Sequence, residues 1–415
     1  MQYGLIGEKL GHSYSKEIHE AIADYNYEPK ELAKDELAGF FGVKDFKAIN
    51  VTIPYKQDVI EYLDFISDDA KAIGAVNTIV NIEGKLCGYN TDFAGMKALA
   101  EKTGIDFEGA KVLILGTGGT SRTAAAVAGS LGAAQVIKVS RHADAASGTV
   151  SYEDAAGVHS DADIIINTTP CGMYPDMFSK PIELEPFTKL RGLLDAVYNP
   201  LRTPLVLEAQ KKGIPASGGL YMLAAQAVYA CEKFLDKELG KEYIDRAYKS
   251  VLKKKQNYVL SGMPSCGKTT IGKMIAEKTG REFVDTDDII VSRINMPIAD
   301  FFAKYGEEAF RDIESEVIKE LASKSGLVIS TGGGAILRDE NIKNLKLNGK
   351  LLFVDRELRL LCATGDRPLS SDKDMLRRRY EERYDIYRSC CDKRIENNGS
   401  IDEAVKAASE AFDED

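Results

Sequence analysis

Two glycine-rich segments of this chain could hold phosphates, and one lysine and one aspartate could share a proton. The segment Gly262-Met263-Pro264-Ser265-Cys266-Gly267-Lys268-Thr269 fits the pattern G-x-x-x-x-G-K-[ST]. In such a loop, backbone N–H groups cradle phosphates, the lysine reaches the β and γ oxygens, and the threonine hydroxyl ligates Mg²⁺. Pro264 to Thr269 are therefore expected to bind ATP, with Lys268 also serving catalysis. A second segment, Gly116-Thr117-Gly118-Gly119-Thr120-Ser121-Arg122, lets a backbone approach a pyrophosphate before a helix N-terminus with free N–H donors. The next strand ends Val139-Ser140-Arg141. An NAD site places an acid about 20 residues past the glycines, to accept from the ribose 2′-OH. Here Ser140 and Arg141 stand there, and an arginine pairs with a 2′-phosphate through charge-assisted bonds. The pattern favours NADP(H).

Each loop needs a strand before it and a helix after it, and the sequence supplies both. Lys111 to Leu115 precedes the first loop and Tyr258 to Ser261 the second, each followed by a helical pattern. From Lys111 to Gly213 strand-like runs recur (Val112 to Leu115, Val136 to Val139, Ile164 to Thr168, Leu193 to Val197), a rhythm that predicts a parallel, doubly wound sheet. Residues before Asn90 mix strand-like runs (Ala48 to Ile53, Ala75 to Ile82) with a helical one (Ser15 to Tyr25). Helical stretches are expected over Ala224 to Leu239 and Glu242 to Leu252. The polar run ending Lys253-Lys254-Lys255-Gln256-Asn257 reads as a linker. The expected organisation is α/β throughout. An α/β substrate domain (1–95 and 220–250) joins a Rossmann-like NADP domain (96–219). A linker (251–256) leads to a P-loop α/β domain (257–415).

Polar residues cluster at the strand ends of the first half. They occur in Leu10-Gly11-His12-Ser13-Tyr14-Ser15, Asn50-Val51-Thr52-Ile53-Pro54-Tyr55-Lys56, Gly74-Ala75-Val76-Asn77-Thr78 and Gly88-Tyr89-Asn90-Thr91-Asp92. Hydroxyls and amides at such places suit a polyhydroxylated ligand. Lys56 and Asp92 are the acid/base pair among them.

The 415 residues suggest two or three domains, and 44% hydrophobic with 28% charged residues is ordinary globular composition. A net charge of −10 argues against nonspecific binding to nucleic acid or anionic membrane. Seven cysteines without a CxxC pair fit reduced thiols in a cytoplasm. The N-terminus lacks a basic, apolar signal pattern, and no run approaches the roughly 20 apolar residues of a membrane span. Cys266, beside a helix N-terminus, raises the expectation that thiol alkylation blocks the second loop, against a plain reading as a variable position.

The strand-end segments, together with Asn167-Thr168-Thr169-Pro170-Cys171-Gly172-Met173, Asp195-Ala196-Val197-Tyr198-Asn199-Pro200 and Gly218-Gly219-Leu220-Tyr221, resemble the shikimate dehydrogenase family over residues 1 to 250. The resemblance implies that Ser13, Ser15, Thr52, Asn77, Asp92, Tyr198 and Gln226 hold the substrate, with Lys56 and Asp92 catalytic. It adds Gly219 and Asp68 to Gly116, Thr117, Gly118, Gly119, Thr120, Ser140 and Arg141 as cofactor residues. The family often has Asn-Arg-Thr or Asn-Arg-Ser where Ser140-Arg141-His142 stands here.

Residues 257 to about 412 resemble shikimate kinase. The matching segments are Asp285-Thr286-Asp287-Asp288, Glu308 to Glu314, Ile329 to Ala335, Gly365-Asp366-Arg367-Pro368-Leu369 and Arg383-Tyr384-Asp385-Ile386-Tyr387. By that resemblance Asp287, Arg311, Gly333 and Arg383 bind shikimate, and Asp287 contacts the attacking hydroxyl. Thr269 and Asp285 serve Mg²⁺, and Arg367 lies on a lid over ATP. The family's adenine-side arginines are replaced, with Leu360 or Cys362 near the lid and Asn397 or Asn398 near the C-terminus. The partners implied are small molecules, with a monomer or homodimer expected. The rival readings are a quinate-preferring dehydrogenase with a different small-molecule kinase, or one module without catalysis. Ser13 and Ser15 argue against the first rival, and the retained Lys56, Asp92, Lys268 and Asp287 against the second.

Overall fold

Val112, Leu113, Ile114 and Leu115 are all buried, as a central strand covered on both faces must be. In the computed structural model, which describes residues 1–11, 14–361 and 373–414, they lie in the middle of an all-parallel sheet. Its order is Ala216–Ser217, Gly192–Asp195, Ile164–Asn167, Lys111–Leu115, Gln135–Val139, Thr149–Val150. The strand order reverses at Lys111–Leu115, which puts the first glycine loop at the switch point where open α/β sheets bind ligands.

The chain divides into two compact units, Met1–Leu252 and Lys253–Asp415. The first also contains a mixed sheet ordered Tyr27–Glu31, Tyr3–Gly7, Ala48–Val51, Thr78–Ile82, Lys85–Tyr89, Phe65–Ile66. The first three strands run parallel, and Thr78–Ile82 is antiparallel to both neighbours. Two strands are shorter than the sequence suggested. Ala48–Val51 stops before Thr52, and Thr78–Ile82 starts after Asn77. Thr52 and Asn77 are thereby left at strand ends, where a side chain can serve a site.

The helix Leu220–Leu235 begins earlier than expected, directly after Gly219, and stops where Asp236 adopts a left-handed φ of 48°. It packs on Thr91–Thr103 and Ser15–Ile22 around a core of Ile18, Met96, Leu99, Ala224 and Val228. A Cβ at Gly95 would lie 2.8 Å from the Met222 carbonyl oxygen, so glycine permits that close helix approach. Residues 253–255, read from sequence as linker, are instead the last turn of the helix Lys241–Lys255. Val251 is buried there, and three lysines suit the negative end of the helix dipole.

The second unit carries an all-parallel sheet ordered Phe283–Asp285, Val328–Ser330, Asn257–Ser261, Gly349–Asp355, Lys393–Glu396. The buried strand Asn257–Ser261 leads directly into the second glycine loop. Among the described residues, no helix is long and apolar enough to cross a membrane.

Candidate active sites

In the first unit Asn90 caps the helix Thr91–Thr103, its Oδ1 accepting from the amides of Asp92 (3.1 Å) and Phe93 (3.4 Å). The cap fixes Asp92 in the first turn, where the helix dipole favours a carboxylate. Lys56 Nζ donates to Asp92 Oδ2 at 2.5 Å across a separation of 36 residues. Both line a cavity of about 300 Å³ together with Ser15, Thr52, Asn77, Tyr198 and Gln226. Thr91 Oγ1 accepts from Asn77 Nδ2 at 3.1 Å and donates to Gln226 Oε1 at 3.5 Å, so one hydroxyl ties three segments together, and Asn77 Oδ1 also accepts from the Thr91 amide at 2.8 Å. The Tyr14 and Tyr198 rings meet at 5.4 Å. Burial above all, then Tyr198 and Glu17, pushes the Tyr14 phenol up to about 12, and burial also raises Tyr198. Both are protonated donors at neutral pH. Ser13 lies outside the described residues.

The glycine loop reaches the same cavity through Thr120, and Gly219, at the start of the helix Leu220–Leu235, lines it too. Gly116 has φ 106°, and a Cβ there would lie 2.9 Å from Thr168 Oγ1. The helix Gly119–Ser130 starts with no side-chain cap, which leaves its first N–H groups for an anion. A Cβ on Gly219 would lie 2.3 Å from the Ala196 carbonyl oxygen. Beyond Gln135–Val139, Ser140 Oγ accepts from the His142 amide at 3.1 Å and Arg141 is exposed. No carboxylate competes at the position where NAD specificity needs one. These residues fit a 2′-phosphorylated dinucleotide. Asp68 does not line the cavity; its exposed carboxylate pairs with Lys71 at 3.6 Å.

Sequence reasoning assigned no role to Asn50, Met222 or Asp195. Asn50 and Met222 line the cavity. Asp195 is fully buried at the end of Gly192–Asp195 and accepts from Asn167 Nδ2 (3.0 Å), the Val197 amide (2.9 Å) and Thr203 Oγ1 (2.7 Å). Burial pushes its carboxyl up to about 7 against the pull of those donors. A charged residue closing an apolar strand was the available signal.

In the second unit Gly262 (φ 152°), Ser265 (φ 64°) and Gly267 (φ 101°) curl the loop. Lys268 is buried, and its Nζ donates to the carbonyls of Gly262 (2.9 Å) and Met263 (3.0 Å). Thr269 Oγ1 donates to Asp285 Oδ2 at 3.0 Å, bringing a hydroxyl and a carboxylate together as a hard cation requires. Cys266 is fully buried, 3.8 Å from Lys268 Nζ, which favours the plain reading of that position over a reactive loop thiol. Iodoacetamide is expected to leave Cys266 unlabelled in the folded protein, as read by peptide mass spectrometry. Rapid native labelling of Cys266 would contradict this packing. Asn397 Nδ2 donates to the Cys266 carbonyl at 2.8 Å, and Asn398 Oδ1 accepts from the Glu357 amide at 2.9 Å. The two asparagines thus brace loops. Arg367 and Cys362 lie outside the described residues.

A cavity of about 700 Å³ in this unit gathers Pro264, Asp287, Arg311, Gly333 and Arg383. The helix Ile298–Ala322 breaks at Gly306 (φ 84°), which sets the direction of the stretch carrying Arg311. Arg311 is ion-paired with Glu307. Arg383 Nη1 (2.9 Å) and the Tyr387 hydroxyl (2.5 Å) both donate to the Gly333 carbonyl. Sequence reasoning missed Glu314 and Arg379 on the cavity wall. Glu314 is 2% exposed. Burial first, then Asp287, pushes its carboxyl up to about 7 against Arg311, Arg383 and Arg338. A Cβ on Gly332 would meet both Glu314 Oε1 (2.6 Å) and Asp287 Oδ1 (2.8 Å). Glycine there gives two carboxylates room at one spot.

Fold and sites define an α/β dinucleotide-dependent oxidoreductase unit followed by a P-loop phosphotransferase unit. The model "Shikimate dehydrogenase substrate binding domain" matches residues 5–79 and "Shikimate kinase" matches 264–412. A shikimate dehydrogenase (NADP(+)) of Clostridium perfringens is 39% identical over 252 residues, covering 55% of this chain and 90% of the relative. The crystal structure of shikimate dehydrogenase 1 from Peptoclostridium difficile aligns with a TM-score of 0.56 at 34% identity, over 60% of this chain and 98% of that one. A chorismate mutase/shikimate 5-dehydrogenase fusion from Clostridium acetobutylicum aligns with a TM-score of 0.57 at 33% identity, over 61% and 97%. The chain belongs to the shikimate dehydrogenase family and carries a shikimate kinase domain behind that part.

Proposed function

We propose that the first unit reduces 3-dehydroshikimate to shikimate with NADPH, and that the second phosphorylates shikimate with ATP and Mg²⁺ to shikimate 3-phosphate. The observation that carries the first step is the 2.5 Å Lys56–Asp92 pair in a hydroxyl-lined cavity reached by the glycine loop. NADPH, when bound, supplies the hydride. As the carbonyl oxygen gains charge, the Lys56 ammonium stabilises it and donates the proton, while Asp92 holds the lysine in place. Ser15, Thr52, Asn77, Tyr198 and Gln226 fix the ring by hydrogen bonds, and Arg141 pairs with the 2′-phosphate.

For the second step the support is the loop bearing Lys268 beside a cavity lined by Asp287, Arg311, Gly333 and Arg383. Asp287 orients the attacking hydroxyl, and the arginines grip the carboxylate. Lys268 offsets phosphate charge, and Thr269 with Asp285 holds Mg²⁺. Phosphoryl transfer needs mainly this alignment and neutralisation. Six described cysteines are free thiols, which supports a cytoplasmic setting. Either a monomer or a homodimer accommodates this scheme.

With 3-dehydroshikimate, NADPH, ATP and Mg²⁺ together, the protein is expected to yield shikimate 3-phosphate by mass spectrometry. Without ATP the reaction is expected to stop at shikimate. NADPH oxidation with no phosphate ester in the full mixture would remove the kinase reading.

A further inference from the structure

The kinase cavity holds a cation that this scheme leaves unused. Arg379 lies on the helix Lys373–Cys390 one turn before Arg383, so both side chains face the same way. Both line the cavity. The three arginines on its wall differ in what they already bind. Arg311 is committed to Glu307, and Arg383 donates to the Gly333 carbonyl at 2.9 Å. Arg379 makes no hydrogen bond or ion pair among the described residues, although it is half-buried. Burial, and next the nearby Arg383, lower its pKa against the pull of Glu307 and Glu382, neither of which bonds to it. A half-buried guanidinium without an acceptor is costly, and a carboxylate can accept two of its N–H groups at once.

We propose that Arg379 is a substrate-binding residue of the kinase unit, pairing with the ring carboxylate beside Arg383. This rests on the kinase reading above. It gives the carboxylate a cation whose donors are free, where the two arginines expected from sequence each have a protein partner. Arg379 then contributes affinity and selects for an acid over its uncharged analogue, without acting on the transferred phosphoryl group.

The test uses the full chain with Arg379→Gln and Arg379→Lys. Losing one charge-assisted pair is expected to raise the KM for shikimate by about 10- to 100-fold, with the KM for ATP unchanged and kcat within about threefold. Arg379→Lys is expected to recover part of the loss, because a point charge keeps attraction but not the planar fork. With shikimate methyl ester as the probe, wild type and variants are expected to have the same kcat/KM. Retained phosphorylation of the methyl ester in each preparation reports that the kinase unit, which is compact apart from the dehydrogenase unit, is folded. A KM for shikimate within twofold of wild type, or a rise in the KM for ATP instead, overturns the assignment. No phosphorylation of shikimate by the unaltered chain overturns the kinase reading itself.

Discussion

Replacing Lys56 with alanine is expected to lower the turnover of 3-dehydroshikimate by about 10³-fold, leaving shikimate phosphorylation by the same chain intact. General acid catalysis contributes about 10² to 10⁴, and removal of one charge-stabilising donor costs about 10² to 10³. Lys56 is placed to do both, being the cation bonded to Asp92 in the cavity. The fold should survive the change. Asp92 loses its cation but keeps its place in the first turn of Thr91–Thr103, where the helix dipole favours its charge. Asn90 still caps that helix, and Asn77 still holds the Thr91 amide. The KM for 3-dehydroshikimate should therefore move much less than kcat, because the hydroxyl and amide contacts remain. NADPH absorbance, followed with 3-dehydroshikimate varied, separates the two constants. Turnover within tenfold of wild type would mean that another group delivers the proton.

The second large effect is expected from Lys268→Ala, which should reduce shikimate 3-phosphate formation by about 10³-fold or more while dehydrogenase turnover stays within about twofold. A preorganised cation at a transferring phosphoryl group acts in a site largely closed to water, where charge counts for more. Lys268 meets both conditions: it is 5% exposed and lies at the start of the helix Lys268–Thr279. Alanine also leaves the Gly262 and Met263 carbonyls without their donor, so some loss could come from a distorted loop. Lys268→Arg separates these causes. It keeps a charge and donors but cannot match a compact ammonium in a buried slot, so it is expected to rescue little. Product quantification by mass spectrometry with ATP saturating checks both variants. Kinase turnover in Lys268→Ala within tenfold of wild type would remove Lys268 from the chemistry.

The parts of each site that were legible in the sequence are those whose chemistry is local. A glycine loop works because a strand ends, the backbone turns through conformations glycine tolerates, and a helix starts with unpaired N–H groups. All of that is written within about a dozen residues, as in Lys111 to Arg122 and Tyr258 to Thr269. Lys268, Thr269 and the Ser140-Arg141 pair were readable for the same reason. The strand–helix rhythm from Lys111 to Gly213 also announced a parallel sheet, whose central run Val112 to Leu115 is buried as a doubly covered strand must be.

Tertiary structure decided everything that depends on who meets whom. Lys56 and Asp92 are 36 residues apart, and Thr91 and Gln226 are 135 apart, so no spacing rule connects them. Cys266 looked available beside a helix N-terminus, yet Gly262, Lys268 and Asn397 close over it. The lysine-rich run after Val251 looked like a linker, but a buried valine and a helix end explain it. Glu314 and Arg379 had no role assigned from sequence, and only their place on the wall of one cavity makes them chemically significant. Burial and pairing are properties of the packed chain, since desolvation and neighbouring charge come from residues distant in sequence. The nature of the reacting groups is thus encoded locally, while their pKa values, accessibility and partners arise only once the chain has folded around them.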